Sequence, residues 1–358
     1  MKSNRPEVLG EGAVPMAART LHTLLLSWFN NQKSEIDQAQ WESVCSLARA
    51  SKTHGLIALG LDQHSPAAHD LRQIKKAILE QNLHNLRWTV KVVALLQGKG
   101  IVTIAFKGVP RSHEVYGAWD CRPSKDIDIL VAASDYSKAC AALQQNGYCP
   151  QVSNKSVWWH KCLGEAPFRQ EDLHSPYIDL HHQVQQPGAP YPNRLEGFFA
   201  DCRRATYGKT ELCTPSADSA LLIAIINYAK AMRAGEPTLA RLHEISYATR
   251  TFGDDELRRF LHLAKLQGIT NVASEALEKA YILFPHDGRI DRDSEQFDVV
   301  LLESLAMTQR PIFLRTRLLW SWTDGRTPLR LIRFCTSLLR LLHSGLWRWI
   351  ESKTGRIV

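Results

Sequence analysis

The spacing of apolar positions divides this chain into three textures. Apolar residues recur at three-and-four spacing through Thr20–Phe29, Ile36–Ala50 and Ala67–Leu96, which predicts a helical N-terminal region stopped by Gly98-Lys-Gly100. The period then shortens. Ile101–Phe106 and Asp126–Val131 are compact, β-branched runs that predict strands, with one or two helical turns over Gly108–Tyr116 between them. Ser134-Asp135 supplies an N-cap for a helix running to Asn146-Gly147. Three short β-like runs follow, Lys155–Leu163, Pro167–Leu173 and Tyr177–Val184. Gly164-Glu-Ala-Pro167 and His174-Ser-Pro176 separate them with turn chemistry, which predicts an antiparallel meander. Arg203–Cys213 adds one more strand.

From Thr214-Pro-Ser216 the helical period returns, over Asp218–Met232, Thr238–Thr251, Asp254–Gln267 and Thr270–Leu283. Pro285–Gln296 is polar, carries Asp287-Gly288 and reads as a linker or exposed loop, followed by a helix over Phe297–Thr308. Thr327 to Trp349 is a basic amphipathic helix. Such a helix ordinarily packs its apolar face on the body and solvates its arginines. It can instead lie on an anionic membrane, which makes residues 327–350 a candidate for peripheral membrane contact.

The candidate chemistry sits where the texture changes. Asp126 and Asp128 are one residue apart in a strand, so their carboxylates share one face while Ile127 and Ile129 take the other. Carboxylates held side by side repel, and a cation between them is the usual remedy, so the pair reads as half of a divalent-metal site. Tyr177-Ile-Asp-Leu-His181 repeats the logic: Asp179 and His181 share a face, and a strand paired beside Asp126–Val131 would bring Asp179 to the first two aspartates. His181 is then expected to line the pocket. Lys107-Gly108 ends a strand and opens a helical turn, where glycine lets a phosphate approach the backbone and free amides favour an anion. Lys107, Arg111 and Arg122 add positive charge. Metal-assisted nucleotidyl or phosphoryl transfer needs such carboxylates and such donors. His174, His181 and His182 lack the HxxxH or HExxH spacing of a zinc hydrolase. Trp158 and Trp159, adjacent on a strand, would offer at most one ring to a base.

Composition narrows the classes. At 358 residues the chain is long enough for two or three domains, and 44% hydrophobic with 22% charged residues is ordinary for a globular protein. A formal charge of +8, partly C-terminal, favours anionic partners: nucleotides, nucleic acid or membrane surfaces. No contiguous basic stripe with interleaved aromatics supports nucleic acid. Eight cysteines form neither a CxxC pair nor a disulfide framework, as expected of reduced thiols in a cytoplasmic protein. The opening Met-Lys-Ser-Asn-Arg-Pro-Glu lacks an apolar h-region, so secretion is not expected. Arg330, Arg333, Arg340 and Arg348 interrupt the C-terminal apolar run, so a membrane span is not expected.

The order Lys107-Gly108, Arg122-x-x-x-Asp126-Ile-Asp-Ile-Leu-Val131, a helix ending Asn146-Gly-Tyr148, then Ile178-Asp-Leu-His181 resembles the nucleotidyltransferase superfamily with the DNA polymerase β-type catalytic core. More narrowly, it is similar to the uncharacterised bacterial nucleotidyltransferase family that carries Lys-Gly where most relatives carry Gly-Ser. The helices after Thr214-Pro-Ser, with Leu242-His-Glu-Ile245, resemble that family's C-terminal bundle, and the likeness spans residues 85–285. Val109, after Gly108, stands where the wider superfamily places a phosphate-touching serine. The resemblance implies an α+β fold, a mixed β-sheet core flanked by helices. It also implies two Mg²⁺ ions and a bound nucleoside triphosphate (NTP). Asp126 and Asp128 would bridge the metals, and Asp179 would complete the nucleotidyl-transfer metal and activate the acceptor hydroxyl.

The expected division is a helical region 1–84, a catalytic core 85–213, a helical bundle 214–284 shaping the cleft, and a linker with basic helices 285–358. The expected reaction moves a nucleoside monophosphate from an NTP to a small-molecule, peptide or protein acceptor, releasing pyrophosphate. A kinase-type phosphotransferase and an inactive nucleotide-binding module use the same residues and stand as alternatives.

Overall fold

The computed structural model describes residues 15–61, 67–172, 174–188, 191–207, 209–286, 294–307 and 312–354. Four helices open it: α1 (Met16–Phe29), α2 (Gln38–Ala50), α3 (His54–Gly60) and α4 (Ala68–Gln97). The Asp37 carboxylate starts α2 by accepting from the Ala39 amide at 3.0 Å. The short helix α3 has no counterpart in the apolar period. It is seven residues long with a glycine near each end, and tertiary packing makes it a helix. A Cβ at Gly60 would lie 2.1 Å from the Leu24 carbonyl, and one at Gly55 2.3 Å from that of Cys121. Only glycine lets this helix wedge between α1 and the loop that leads into the strand carrying Asp126 and Asp128.

That strand belongs to a five-stranded mixed sheet. In chain order come β1 (Thr103–Ala105), α5 (Gly108–Tyr116), β2 (Asp126–Val131), α6 (Tyr136–Gln145), β3 (Tyr148–Pro150), a π-helical turn over Trp158–Leu163, β4 (Glu165–Gln170) and β5 (Tyr177–His181). The spatial order is β1-β2-β5-β4-β3, with β2 and β5 parallel and every other pair antiparallel. Ile127, Ile129, Ile178, Leu180 and Phe168 pack with Val92, Val93 and Leu96 of α4 and Leu143 of α6 in one buried cluster. Each such side chain contributes roughly 1.5–3 kcal/mol on burial. A one-residue slip of β2 would lose that and bury the two aspartates instead, so register is strongly set.

The predicted strand Lys155–Leu163 is instead mostly the π-helical turn. Its Val157 and Trp158 amides donate to the Glu351 carboxylate at 2.6 and 3.2 Å, a cap supplied from the far end of the chain. Trp158 and Trp159 therefore sit on a helical turn rather than on alternate faces of a strand. The meander shrinks to the β4–β5 pair, with β3 added outside it. Helix α7 (Glu196–Ala200) leads to β6 (Cys202–Tyr207) and β7 (Thr210–Pro215), a hairpin where one strand was expected.

The remaining helices are α8 (Ala217–Ala234), α9 (Leu239–Thr249), α10 (Asp254–Gln267), α11 (Thr270–Leu283), α12 (Glu295–Ser304), α13 (Ile312–Trp322) and α14 (Thr327–Thr354). Of the predicted loop Pro285–Gln296, residues 287–293 lie outside the described residues, as does Thr308. Helix α8 is apolar all round and buries Leu221, Leu222, Ile225, Ile226 and Ala229. It belongs to a cluster that draws on both α1–α3 and α8–α12. At its edge the partly buried Trp28 stacks on His243 at 4.9 Å and on Tyr247 at 4.8 Å. One expectation is reversed at the C-terminus. The apolar stripe of α14 faces outward, and Arg330, Arg340 and Arg348 turn back over Trp320, Tyr191 and Trp158.

His243 gives the fold a pH dependence. Burial, reinforced by His22 and Arg250, pushes its imidazole down to about 3, against roughly 6.5 in an unfolded chain. Between those values the unfolded state takes the proton first. The stabilisation is complete above about pH 6.5 and erodes as pH falls, by about 1.4 kcal/mol per pH unit for one proton. Urea unfolding of the wild type should therefore lose stability between pH 6 and 4 by about that slope more than His243→Phe.

Candidate active site

The parallel pairing of β2 and β5 sets Asp128 opposite Asp179 and Leu130 opposite His181. Asp128, Asp179 and His181 share the face away from the α4–α6 core, and their ligand atoms lie within 4.8 Å of one another, a spacing that a divalent cation can bridge. Asp126 stands on the same face two residues earlier, opposite Tyr177, and lies outside that close group. β4 adds Glu165, whose register partner is His181.

His181 is 4% exposed and lies between two carboxylates: Nε2 is 3.2 Å from Asp128 Oδ1, and Nδ1 is 3.2 Å from Glu165 Oε2. Only the imidazolium can donate to both. Burial opposes its charge, but the Asp128 and Glu165 hydrogen bonds outweigh it and raise the pKa. Lys107 completes the balance, with Nζ 3.3 Å from Asp128 Oδ1. Burial alone would raise Asp128; the Lys107 ammonium and the His181 ring hold it below the usual carboxylate range. Asp179 has no ion-pair partner among the described residues, only the more distant His181. Burial, with repulsion from Asp128, Asp126 and Glu165 only partly offset by His181, pushes it up to about 7. Asp126 is also raised, by burial and then by Asp128. The carboxylate face thus carries more negative charge than the protein's own cations neutralise, and its donor set of carboxylates and an imidazole suits a divalent ion.

Beside this face Lys107 is extended and Gly108 takes φ +68° as α5 begins. A Cβ there would meet Ser124 Oγ at 3.0 Å, so both backbone conformation and space favour glycine. Ser124 Oγ in turn donates to the Asp126 carbonyl at 2.8 Å, tying this turn to the start of β2. Gly108 at the start of α5 lines a small cleft together with Lys107, Arg111, Arg122, Asn227 of α8 and Arg241 of α9.

The two arginines meet through a residue to which the sequence assigned no role. Glu244 of α9 accepts from Arg111 Nε at 3.0 Å and from Arg122 Nη1 at 2.5 Å. Arg111 is 9% exposed, and its Nη2 is buried without a partner, a donor left over for an anion in the cleft. The loop carrying Arg122 is pinned by α4. Asn82 Nδ2 donates to the Trp119 and Arg122 carbonyls, Asn82 Oδ1 accepts from the Ser124 amide, and Asn85 donates to the Ser124 carbonyl at 2.8 Å. Both asparagines are fully buried. Their spacing on the inner face of a predicted helix was the signal that could have revealed them. Glu165 left no such signal, because the predicted strand began two residues later. Lys230 on α8 adds a further cation; burial and then Lys107 lower its pKa, opposed by Glu165 and Asp128. His174 and His182 lie outside the carboxylate group: the His174 carbonyl faces His84, and His182 bonds the His160 carbonyl at 2.8 Å.

A family described as uncharacterised nucleotidyltransferase matches residues 37–285. No curated protein matches the chain. Among solved structures, the lincosamide antibiotic adenylyltransferase LnuA, lincomycin-bound, is 17% identical with a TM-score of 0.30, over 46% of this chain and 94% of that one. The antibiotic-resistance factor ANT(2'')-Ia is 11% identical with a TM-score of 0.32, over 48% of this chain and 85% of that one.

Glu244 should prove structural as well as local to the cleft. Glu244→Ala leaves the buried Arg111 guanidinium with only the Glu114 carboxylate, 4.0 Å from Nη1, as counter-charge and is expected to lower stability in urea by about 3 kcal/mol. Burial raises the Glu244 carboxyl, but Arg122 and Arg111 outweigh it and hold it low. Its charged contribution is therefore present above the unfolded value near 4.3 and lost as pH falls below it. The gap between wild type and Glu244→Gln should narrow on acidification through that range.

Proposed function

The chain belongs to the uncharacterised nucleotidyltransferase family, and on that premise we propose that it transfers a nucleoside monophosphate from an NTP to an acceptor nucleophile, releasing pyrophosphate. The observation that supports this most is the in-register pairing of Asp128 with Asp179, next to the Lys107-Gly108 turn at the start of α5. Asp126, Asp128 and Asp179 would hold magnesium, with His181 within ligand distance of the last two. Bound there, the ion would supply Lewis-acid neutralisation of charge on the reacting phosphate.

The chain's own groups do the rest. The α5 amides, Lys107, the free Nη2 of Arg111 and Arg122 grip the triphosphate and favour the charge that builds on the leaving pyrophosphate. Glu244 fixes the two guanidinium planes, so their donors are aimed before the nucleotide arrives. Asp179, the carboxylate readier to hold a proton, orients the acceptor and takes its proton. Helices α8 and α9 also line the cleft and shape the space for the acceptor. The excess of cations around the cleft, Lys107, Arg111, Arg122, Lys230 and Arg241, fits a polyanionic donor.

Incubation with Mg²⁺, α-labelled triphosphates and a panel of acceptors should transfer label to product and release pyrophosphate, and EDTA should stop it. Asp128→Ala and Asp179→Ala are each expected to lower turnover by at least about 10²-fold while the thermal melt stays cooperative. Release of ADP with transfer of the γ-label would make the protein a kinase, and triphosphate binding without either product would make it a binding module.

A further inference from the structure

Helix α14 presents itself inside out. Leu331, Ile332, Leu339, Leu342, Leu346 and Trp349 recur at helical spacing along one face, and each is 52–66% exposed. The stripe extends over 19 residues, about 27 Å of helix. Nothing among the described residues covers it. The opposite face does the docking. The buried Glu351 carboxylate accepts from Ser156 Oγ at 2.5 Å and from the Val157 and Trp158 amides at the start of the π-helical turn. Ser344 Oγ accepts from the Trp158 indole at 3.1 Å, and Arg340 and Arg348 lie over Tyr191 and Trp158. Polar contacts thus fasten the helix to the protein and hold its apolar stripe outward.

Charge says what meets that stripe. Residues 310–358 contain ten Lys/Arg and two Asp/Glu, so of the chain's 44 basic and 36 acidic residues thirty-four of each remain in 1–309. The whole formal excess of +8 therefore resides in this segment. Its two carboxylates are both turned inward. Asp324 accepts from the Thr270 and Asn271 amides at the start of α11, at 2.6 and 2.9 Å, and Glu351 is occupied as above. Arg326, Arg340, Arg348 and Lys353 remain exposed. A second copy of the chain is a poor match, because it would set two such cationic segments together, and neither segment exposes an acidic side chain among the described residues to pair with the other's cations. Nucleic acid would satisfy the cations and leave the aliphatic stripe bare.

We propose that α14 seats the protein on an anionic lipid surface, its apolar stripe entering the headgroup–acyl boundary while the surrounding basic residues meet lipid phosphates. No helix among the described residues is long and apolar enough to cross a membrane, so the contact is interfacial. The strong amphipathicity of α14, its cationic polar face and its terminal tryptophan are the features of helices that lie in that boundary. The inference is independent of the catalytic reading. It also gives the Glu351 cap a purpose, since a helix that floated free would turn its apolar face inward.

The test uses the full-length chain with vesicles of phosphatidylcholine alone or mixed with phosphatidylglycerol, in sedimentation at about 0.1 M salt. Binding to the anionic vesicles is expected to be at least about tenfold tighter than to the neutral ones, and to weaken with salt. Leu339→Glu with Leu342→Glu should weaken anionic-vesicle binding by at least about tenfold. The thermal melt should be unchanged, because both side chains are already exposed. The proposal is overturned if the wild type ignores anionic vesicles, or if the double variant binds them equally well. It is also overturned if the wild type is a dimer that the double variant splits without any lipid binding, which would assign the stripe to a second copy.

Discussion

Everything at the candidate site depends on parallel pairing between β2 and β5. It forces Asp128 and Asp179 side by side on the same sheet face, where like charges in a desolvated setting repel. The fold tolerates this for two reasons. The other face buries Ile127, Ile129, Ile178 and Leu180, so a one-residue slip that took a carboxylate off this face would also forfeit the core. On the charged face, Lys107 and a doubly hydrogen-bonded His181 both lean on Asp128 and leave Asp179 without a cationic partner of its own. The asymmetry is physical in origin. One carboxylate is held ionised by its neighbours, while burial and repulsion make the other readier to hold a proton.

The second organising feature is that the cleft is assembled from distant parts of the chain. Arg111 comes from α5, Arg122 from the loop before β2, and Glu244 from α9, more than a hundred residues away from either. The loop itself is placed by Asn82 and Asn85 of α4 and by the close approach of Gly55 to Cys121. Trp28 of α1 stacks against His243, the residue before Glu244. The N-terminal helices thus pack against the residues that hold Arg111 and Arg122 in place. A change in α1 reaches the cleft by shifting a buried ring rather than by touching a ligand.

The C-terminal helix follows the opposite logic. In α8 the apolar surface is buried in the core. In α14 a few polar side chains outcompete the apolar stripe for contact with the body, because each fills an otherwise unmet need: amides at the start of the π-helical turn and an indole N–H. Since the π-helical turn leads through Gly164 directly into Glu165, the anchored helix and the carboxylate face share one short stretch of chain.

The amino-acid sequence by itself determined the two catalytic-type strands, the residues that share their polar face, and most helices of the bundle. Those depend on local periodicity: a period of two puts Asp126 with Asp128 and Asp179 with His181 whatever the partners, and α10 and α11 begin and end where their apolar period does. Only the tertiary structure decided that β2 lies parallel to β5, that Lys155–Leu163 closes into a helical turn on a remote carboxylate, that Glu244 joins Arg111 to Arg122, and which way α14 faces. In each case the deciding partner lies tens to hundreds of residues away. A side chain's periodicity states which neighbours share its face, but it carries no information about what that face will meet.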